Sequence, residues 1–228
     1  VGDEAGTAIT TGDDNVAIGY AALDALSVGS RSVAIGSGAL TALTATGNAY
    51  NTAVGYLAGT AVTTGIRNNF FGAEAGEALT EGTDNIAIGY QTLTADTKGS
   101  KSVAIGNNAL DAQNFTSATD AYNVAIGQAA GSAVTTGTQN TLIGGLAGDA
   151  LNTGTDNVVL GFGSLGSDTK GNKSTALGRG TLVGQNFTSA TDTYNTAVGY
   201  FAGNAVTTGT HNTFIGGLAG DANTTGYY

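Results

Sequence analysis

The sequence predicts an all-β fold, a parallel β-solenoid (β-roll) of about 12–13 rungs, each rung being one coil of about 17 residues. A short pattern, N-V-A-I-G at Asn15–Gly19, returns at Ser32–Gly36 and Asn51–Gly55, and a fixed period indicates stacked copies of one unit. Within the pattern bulky and small residues alternate, which is typical of a strand. The chain has 38 glycines and no Trp, Met, Cys or Pro, and a thin solenoid interior suits that composition.

The period is marked by the glycine that ends each copy of the pattern, here called the marker glycine. The markers are Gly2, Gly19, Gly36, Gly55, Gly72, Gly89, Gly106, Gly127, Gly144, Gly161, Gly178, Gly199 and Gly216. Most intervals are 17 residues, and the longer ones of 19, 21 and 21 recur after every fourth marker. Four rungs therefore form a cassette of about 72 residues. We expect one repeat domain over residues 1–228, a fragment of a longer fibrous protein, with cassettes at about 1–19 (partial), 20–89, 90–161 and 162–228.

Each rung begins with a strand such as Val16–Ile18, which has a bulky face and a small face. The marker glycine ends the strand, and a polar turn such as Thr135–Asn140 follows. The small face is nearly all alanine, with Phe70, Leu142 and Phe214 interrupting it in every fourth rung. We expect this flat alanine face to pack closely against sister chains, because repetitive rods commonly form symmetric oligomers.

A polar residue lies four places before each marker glycine, and stacking would align these residues into a ladder that satisfies turn hydrogen bonds. The predicted ladder comprises Asn15, Ser32, Asn51, Asn68, Asn85, Ser102, Asn123, Asn140, Asn157, Ser174, Asn195 and Asn212.

Charge and composition argue against several functions. The net charge of −10 disfavours nucleic acid as a partner, and no apolar run reaches the roughly 20 residues of a membrane span. With one histidine and no cysteine, the chain lacks the unlike residues that catalysis needs, so we expect no enzyme and no cofactor. Asp14, Asp84 and Asp156 recur once per cassette without converging, which favours solvated turns over calcium sites.

Recognition is expected on the string Q-N-F-T-S-A-T-D, which occurs at Gln113–Asp120 and again at Gln185–Asp192. Projecting loops on rigid scaffolds often carry binding groups. The candidate receptor contacts are Asn114, Phe115, Thr116, Asn186, Phe187 and Thr188. The alternative is a loop folded over the side of the solenoid, where it covers apolar surface or clasps a neighbouring chain.

Two further columns are candidates for recognition. A basic column holds Lys98, Lys101, Lys170 and Lys173, and its alternative is local charge pairing with Asp96 and Asp168. Threonine pairs occur at Thr10–Thr11, Thr63–Thr64, Thr135–Thr136 and Thr207–Thr208. Ice binding would need such pairs on every rung, and several rungs lack them.

The strings S-V-A-I-G-S-G-A-L (Ser32–Leu40) and S-V-A-I-G-N-N-A-L (Ser102–Leu110) resemble the head repeats of trimeric autotransporter adhesins. Asn51–Asn68 and Asn195–Asn212 resemble repeats of phage and prophage tail fibres. The resemblance implies a left-handed β-roll, a homotrimer, and a location outside the cell, on a cell or virion surface. Adhesin-head repeats are usually shorter than 17 residues, so the shape of the coil differs from theirs.

These observations predict a structural and adhesive segment of an extracellular trimeric fibre, an adhesin head or viral tail fibre, whose turns meet a host-surface glycan or protein receptor. The alternatives are a monomeric solenoid that binds ice or carbohydrate, and a subunit of an end-to-end extracellular filament.

Overall fold

The computed structural model describes residues 2–227, which contain short strands joined by turns and no helix. The chain divides into two compact units, Val1–Asp120 and Ala121–Tyr228. The single repeat domain expected over residues 1–228 stays a prediction. No helix in the described part is long and apolar enough to cross a bilayer.

In the first unit, six three-residue strands form a parallel sheet, and two shorter strands pair beside it. The main strands, in spatial order, are β1 (Val16–Ile18), β2 (Val33–Ile35), β3 (Thr52–Val54), β4 (Asn69–Phe71), β5 (Ile86–Ile88) and β7 (Val103–Ile105), and the side pair is β6 (Gly99–Ser100) with β8 (Thr119–Asp120).

The second unit has the same plan. Its main strands are β9 (Val124–Ile126), β10 (Thr141–Ile143), β11 (Val158–Leu160), β13 (Thr175–Leu177), β15 (Thr196–Val198) and β16 (Thr213–Ile215), and its side pair is β12 (Gly171–Asn172) with β14 (Thr191–Asp192).

Neighbouring main strands in each unit are parallel and one repeat apart, so that Val16 pairs with Val33 and Thr141 with Val158. The 21-residue interval keeps this register too, because Thr175 pairs with Thr196 while the extra residues lie outside the main strands. This pairing confirms the parallel β-solenoid with rungs of about 17 residues.

The marker glycines allow adjacent rungs to approach closely. Gly72 has φ +139°, and a Cβ atom there would lie 2.4 Å from the carbonyl oxygen of Gly89 on the next rung. A side chain at this column would therefore combine backbone strain with a collision against main-chain atoms.

We expect Gly72→Ala to lower the free energy of unfolding by about 2–4 kcal/mol, because φ is unfavourable for alanine and the rung spacing must widen locally. Urea denaturation followed by circular dichroism measures the change. The matched control is Gly47→Ala, since Gly47 is exposed and a Cβ there meets nothing within 4 Å. Equal stability of the two variants would contradict a steric role for the marker column.

The alanine column lies inside each unit, and the prediction that it faces sister chains is wrong. Ala34, Ala53, Ala87 and Ala104 of the first unit have no exposed surface, and neither do Ala125, Ala176 and Ala197 of the second. The bulky residues on either side of each alanine, such as Val33 and Ile35, are the ones that point outward. Leucines that follow the marker glycines, such as Leu40 and Leu43, are also fully buried, so the core consists of these leucines together with the strand alanines.

The interior lies between two walls, the strand and the segment that follows the marker glycine. Where one wall carries a large side chain, the other carries a small one, so the filled volume stays similar. Five rungs have alanine in the strand and a buried leucine four places after the marker glycine, as in Ala104 and Leu110. Where the strand carries Phe70, the opposite wall has Gly59 and Gly76, and a Cβ at these glycines would lie 2.8 and 2.3 Å from the ring. A thin core of this kind excludes simultaneous large residues on both walls.

Candidate binding surfaces

The asparagine column forms hydrogen bonds from rung to rung inside each unit. Asn68, for example, accepts a hydrogen bond from the amide of Asn85 (3.0 Å) and donates to the carbonyl oxygen of Gly82 (2.9 Å). All predicted ladder residues are buried except Asn15, which is partly exposed. Each asparagine of the ladder from Asn15 to Asn195 therefore satisfies one main-chain donor and one main-chain acceptor that stacking leaves without strand partners.

Serine replaces asparagine in the rungs that precede the Q-N-F-T-S-A-T-D insertions, and a glutamine from the insertion forms a hydrogen bond with the serine hydroxyl. Gln113 donates to Ser102 Oγ (3.0 Å), and Gln185 donates to Ser174 Oγ (2.8 Å). In the rung that lacks this insertion, Ser32 Oγ is buried without a partner. The serine and the glutamine of the insertion thus form a hydrogen-bonded pair.

A buried aspartate anchors each insertion. Asp96 accepts hydrogen bonds from Gln113 Nε2 (2.6 Å) and from the amides of Gly99 and Phe115 (both 3.0 Å). In the second unit, Asp168 accepts the same set of bonds from Gln185, Gly171 and Phe187. Both carboxyl groups have no exposed surface, so they fix the start of each insertion against the rung before it.

The insertion loops lie partly against the solenoid. Phe115 and Phe187 are only 6% and 7% exposed, so these two candidate receptor contacts present little surface in the single chain. Their neighbours, which are exposed, are Asn114, Thr116, Asn186 and Thr188. The burial of the two rings agrees with the alternative of a loop folded over the side of the solenoid. Receptor contact by the exposed neighbours stays a prediction.

The lysines of the basic column pair with carboxylates other than the expected ones, because Asp96 and Asp168 point inward. Lys98 Nζ lies 2.9 Å from Glu81, Lys101 Nζ lies 2.6 Å from Asp120, and Lys173 Nζ lies 2.5 Å from Asp192. Lys170 has no carboxylate within ion-pair distance in the described part of the chain. These pairs are solvent-exposed and contribute little to stability.

Threonine hydroxyls tie neighbouring rungs together at the polar turn. The first threonine of each pair donates to a carbonyl oxygen of the next rung, as Thr63 does to Thr80 (3.2 Å) and Thr207 to Thr224 (3.1 Å). Serine, threonine or asparagine occupies the same place, eight residues after the marker glycine, on every rung. The sequence therefore contains a second ladder of polar side chains at this place. Threonine pairs alone do not show this ladder, because asparagine or serine replaces threonine on some rungs.

The outer face of the strands carries exposed apolar side chains in each unit. In the first unit Val16, Ile18, Phe71 and Ile88 are 38–44% exposed, and Tyr20, Tyr56 and Tyr90 follow the marker glycines beside them with 46–55% exposure. The second unit exposes Ile126, Val158, Leu160 and Ile215 together with Phe162 and Tyr200. Contiguous apolar surface of this kind usually marks a contact with another molecule.

No protein-family model, curated protein or solved structure significantly matches this chain. The resemblance to adhesin-head and tail-fibre repeats therefore rests on the quoted strings alone.

The titratable side chains of the turns contact one another in pairs between neighbouring rungs. His211 is exposed, and its ring centroid lies 5.0 Å from that of Tyr194. Asp84 pairs with Arg67, whose hydrogen bond lowers the pKa of that carboxyl below its ordinary value. Among residues 2–227 no three His, Cys, Asp or Glu side chains form a group that could hold a metal ion.

Proposed function

We propose that this chain is a structural and adhesive segment of an extracellular fibre built from three copies, located on a cell or virion surface. The observation that carries the proposal is the exposed apolar outer face of the sheet in each unit, beside a core that is already filled. A stack of rungs with one exposed apolar face is suited to side-by-side association with other copies of the chain.

The contact between copies is assigned to the bulky outer face rather than to the alanines. Neighbouring strands stay in register along each unit, so β-branched and aromatic side chains repeat at the strand spacing of about 4.8 Å. An identical chain presents the same spacing, and a cyclic arrangement of three copies can therefore match the rows of one chain to those of the next. The resemblance of the quoted strings to adhesin-head and tail-fibre repeats also supports three copies.

The turns supply the second half of the proposed function, which is display of contacts to a host-surface glycan or protein receptor. We assign the display to the basic column and to the exposed insertion residues Asn114, Thr116, Asn186 and Thr188. The buried carboxylates of Asp96 and Asp168 accept hydrogen bonds from the amides of Phe115 and Phe187, next to these insertion residues. Fixed loops lose little conformational freedom on binding, which favours adhesion.

Light scattering on the purified chain tests the assembly state. We expect a mass of about three times the 22.3 kDa of one chain. A mass of 22.3 kDa would instead favour the monomeric binding solenoid, and a mass that grows steadily with concentration would favour the end-to-end filament. Attachment of the same preparation to cells or to arrayed glycans tests adhesion separately.

A further inference from the structure

Four side chains on three consecutive rungs of the second unit form an exposed cluster of aromatic rings around one arginine. Phe162, Arg179 and Tyr200 each follow a marker glycine directly, and Phe201 comes next after Tyr200. Main-chain hydrogen bonds keep these turns stacked, from the amide of Gly180 to Phe162 (3.1 Å) and from the amide of Phe201 to Arg179 (2.9 Å). The cluster therefore has a rigid base.

Arg179 lies among the rings and has no ionic partner among residues 2–227. Its guanidinium carbon is 5.8, 5.9 and 5.6 Å from the ring centroids of Phe162, Tyr200 and Phe201, and Nη1 lies 3.4 Å from the Tyr200 hydroxyl. Five of the seven cationic side chains form ion pairs in the described part of the chain, and Arg179 does not. In a chain of net charge −10, an exposed, unpaired guanidinium held by rings is suited to an external anion.

The cluster borders a shallow groove of about 170 Å³. Its walls are Phe162, Gly163, Arg179, Gly180, Val183 and Phe201. Gly180 is needed for this shape, because a Cβ there would lie 2.6 Å from the Phe201 ring. The groove is thus apolar apart from one cation, and such a site takes a ligand with an apolar face and a single anionic group.

The cluster is also where two otherwise similar stretches of sequence differ. The insertion Gln185–Asp192 repeats Gln113–Asp120 without change, and the turns just before and after it do not. The residues 72 places before Arg179, Gly180, Val183, Tyr200 and Phe201 are Asn107, Asn108, Asp111, Gln128 and Ala129. Arg179, Tyr200 and Phe201 are therefore not required by the rung itself, since the earlier copy carries neither an arginine nor a ring at these places, whereas Phe162 has an aromatic counterpart in Tyr90.

We propose that this groove binds an acidic sugar residue, such as a uronic acid, whose carboxylate pairs with Arg179 while the C–H face of the ring packs on Phe162 and Phe201. The inference rests on the proposed adhesive function and specifies its ligand class. Arginine matches the two oxygens of a carboxylate, and the aromatic faces offer apolar contact area that a small inorganic anion would leave unused.

The test uses the whole chain with two matched probes, methyl β-glucuronide and methyl β-glucoside, titrated by ligand-observed NMR. We expect the wild type to bind the glucuronide at least about tenfold more tightly than the glucoside, as a charge-assisted pair warrants. Arg179→Asn should abolish the preference, and Phe201→Ala should weaken binding of both sugars. Both variants place residues that the earlier copy of the sequence already carries, so the fold should tolerate them.

Arg67→Gln is the control, because it removes an exposed arginine of the first unit that lies outside the groove, and it should leave glucuronide binding unchanged. Gln139 already occupies the corresponding place 72 residues later, so the fold should tolerate the change. Absence of glucuronide binding by the wild type, an equal loss with Arg67→Gln, or equal binding of inorganic phosphate would overturn the acidic-sugar site. A trimer that attaches to cells but ignores the glucuronide would contradict this inference alone. A monomer that binds the glucuronide would contradict the proposed fibre and leave the groove standing.

Discussion

Replacing Asp168 with leucine is expected to lower the free energy of unfolding by about 3–5 kcal/mol, because it leaves several buried donors without an acceptor. The carboxylate accepts hydrogen bonds from Gln185 Nε2 (2.6 Å) and from the amides of Gly171 and Phe187 (3.0 Å each). Two of these donors belong to the main chain and cannot move away from the interior. Urea denaturation followed by circular dichroism measures the loss.

A second variant separates lost hydrogen bonds from lost packing. Leu26 and Leu43 are fully buried at the places that correspond to Asp168 and Gln185, seven residues after their marker glycines. The double variant Asp168→Leu with Gln185→Leu should therefore be more stable than the sum of the single losses by about 1–3 kcal/mol. The exposed change Thr188→Ala is the control and should have little effect. Additive losses would show that the two side chains do not act as one network.

The rung length and strand register followed from the sequence, whereas the direction of the two strand faces did not. Alternation in Val33–Ile35 shows that two faces exist, but it does not show which one is inside. The face that points inside is indicated by the exchange of large and small residues between the two walls of the coil. The large Phe70 in the strand has the small Gly59 and Gly76 opposite it. That exchange becomes visible only when positions before and after the marker glycine are compared across rungs.

The candidate sites were harder to predict because they depend on contacts between rungs. Phe115 stands in a polar string and looks exposed, but the Asp96 carboxylate, 19 residues earlier, holds its amide and draws the loop inward. The sequence around Arg179 is rich in glycine and does not indicate an aromatic cluster, because Phe162 and Tyr200 lie 17 and 21 residues away in sequence. Stacking at one column brings Phe162, Arg179 and Tyr200 together.

The double variant Ile18→Glu with Ile88→Glu is expected to convert the proposed trimer into single chains. Both side chains lie on the outer face of the first unit and are 44% and 38% exposed in one chain. In an interface between copies, each glutamate would lose its hydration without a partner, which costs several kcal/mol per charge. The measured mass should fall from about three times 22.3 kDa to 22.3 kDa.

The fold of the single chain should survive this double variant, because the two strands, β1 and β5, are separated by three others and their new charges do not face each other across one strand pair. An unchanged circular dichroism spectrum checks this. Thr64→Glu is the matched control: it adds a charge at an exposed turn, and Glu81 already occupies the same place on the next rung. A trimer that persists in the double variant would move the contact between copies away from the outer strand face, whereas dissociation by Thr64→Glu alone would assign that contact to the polar turns.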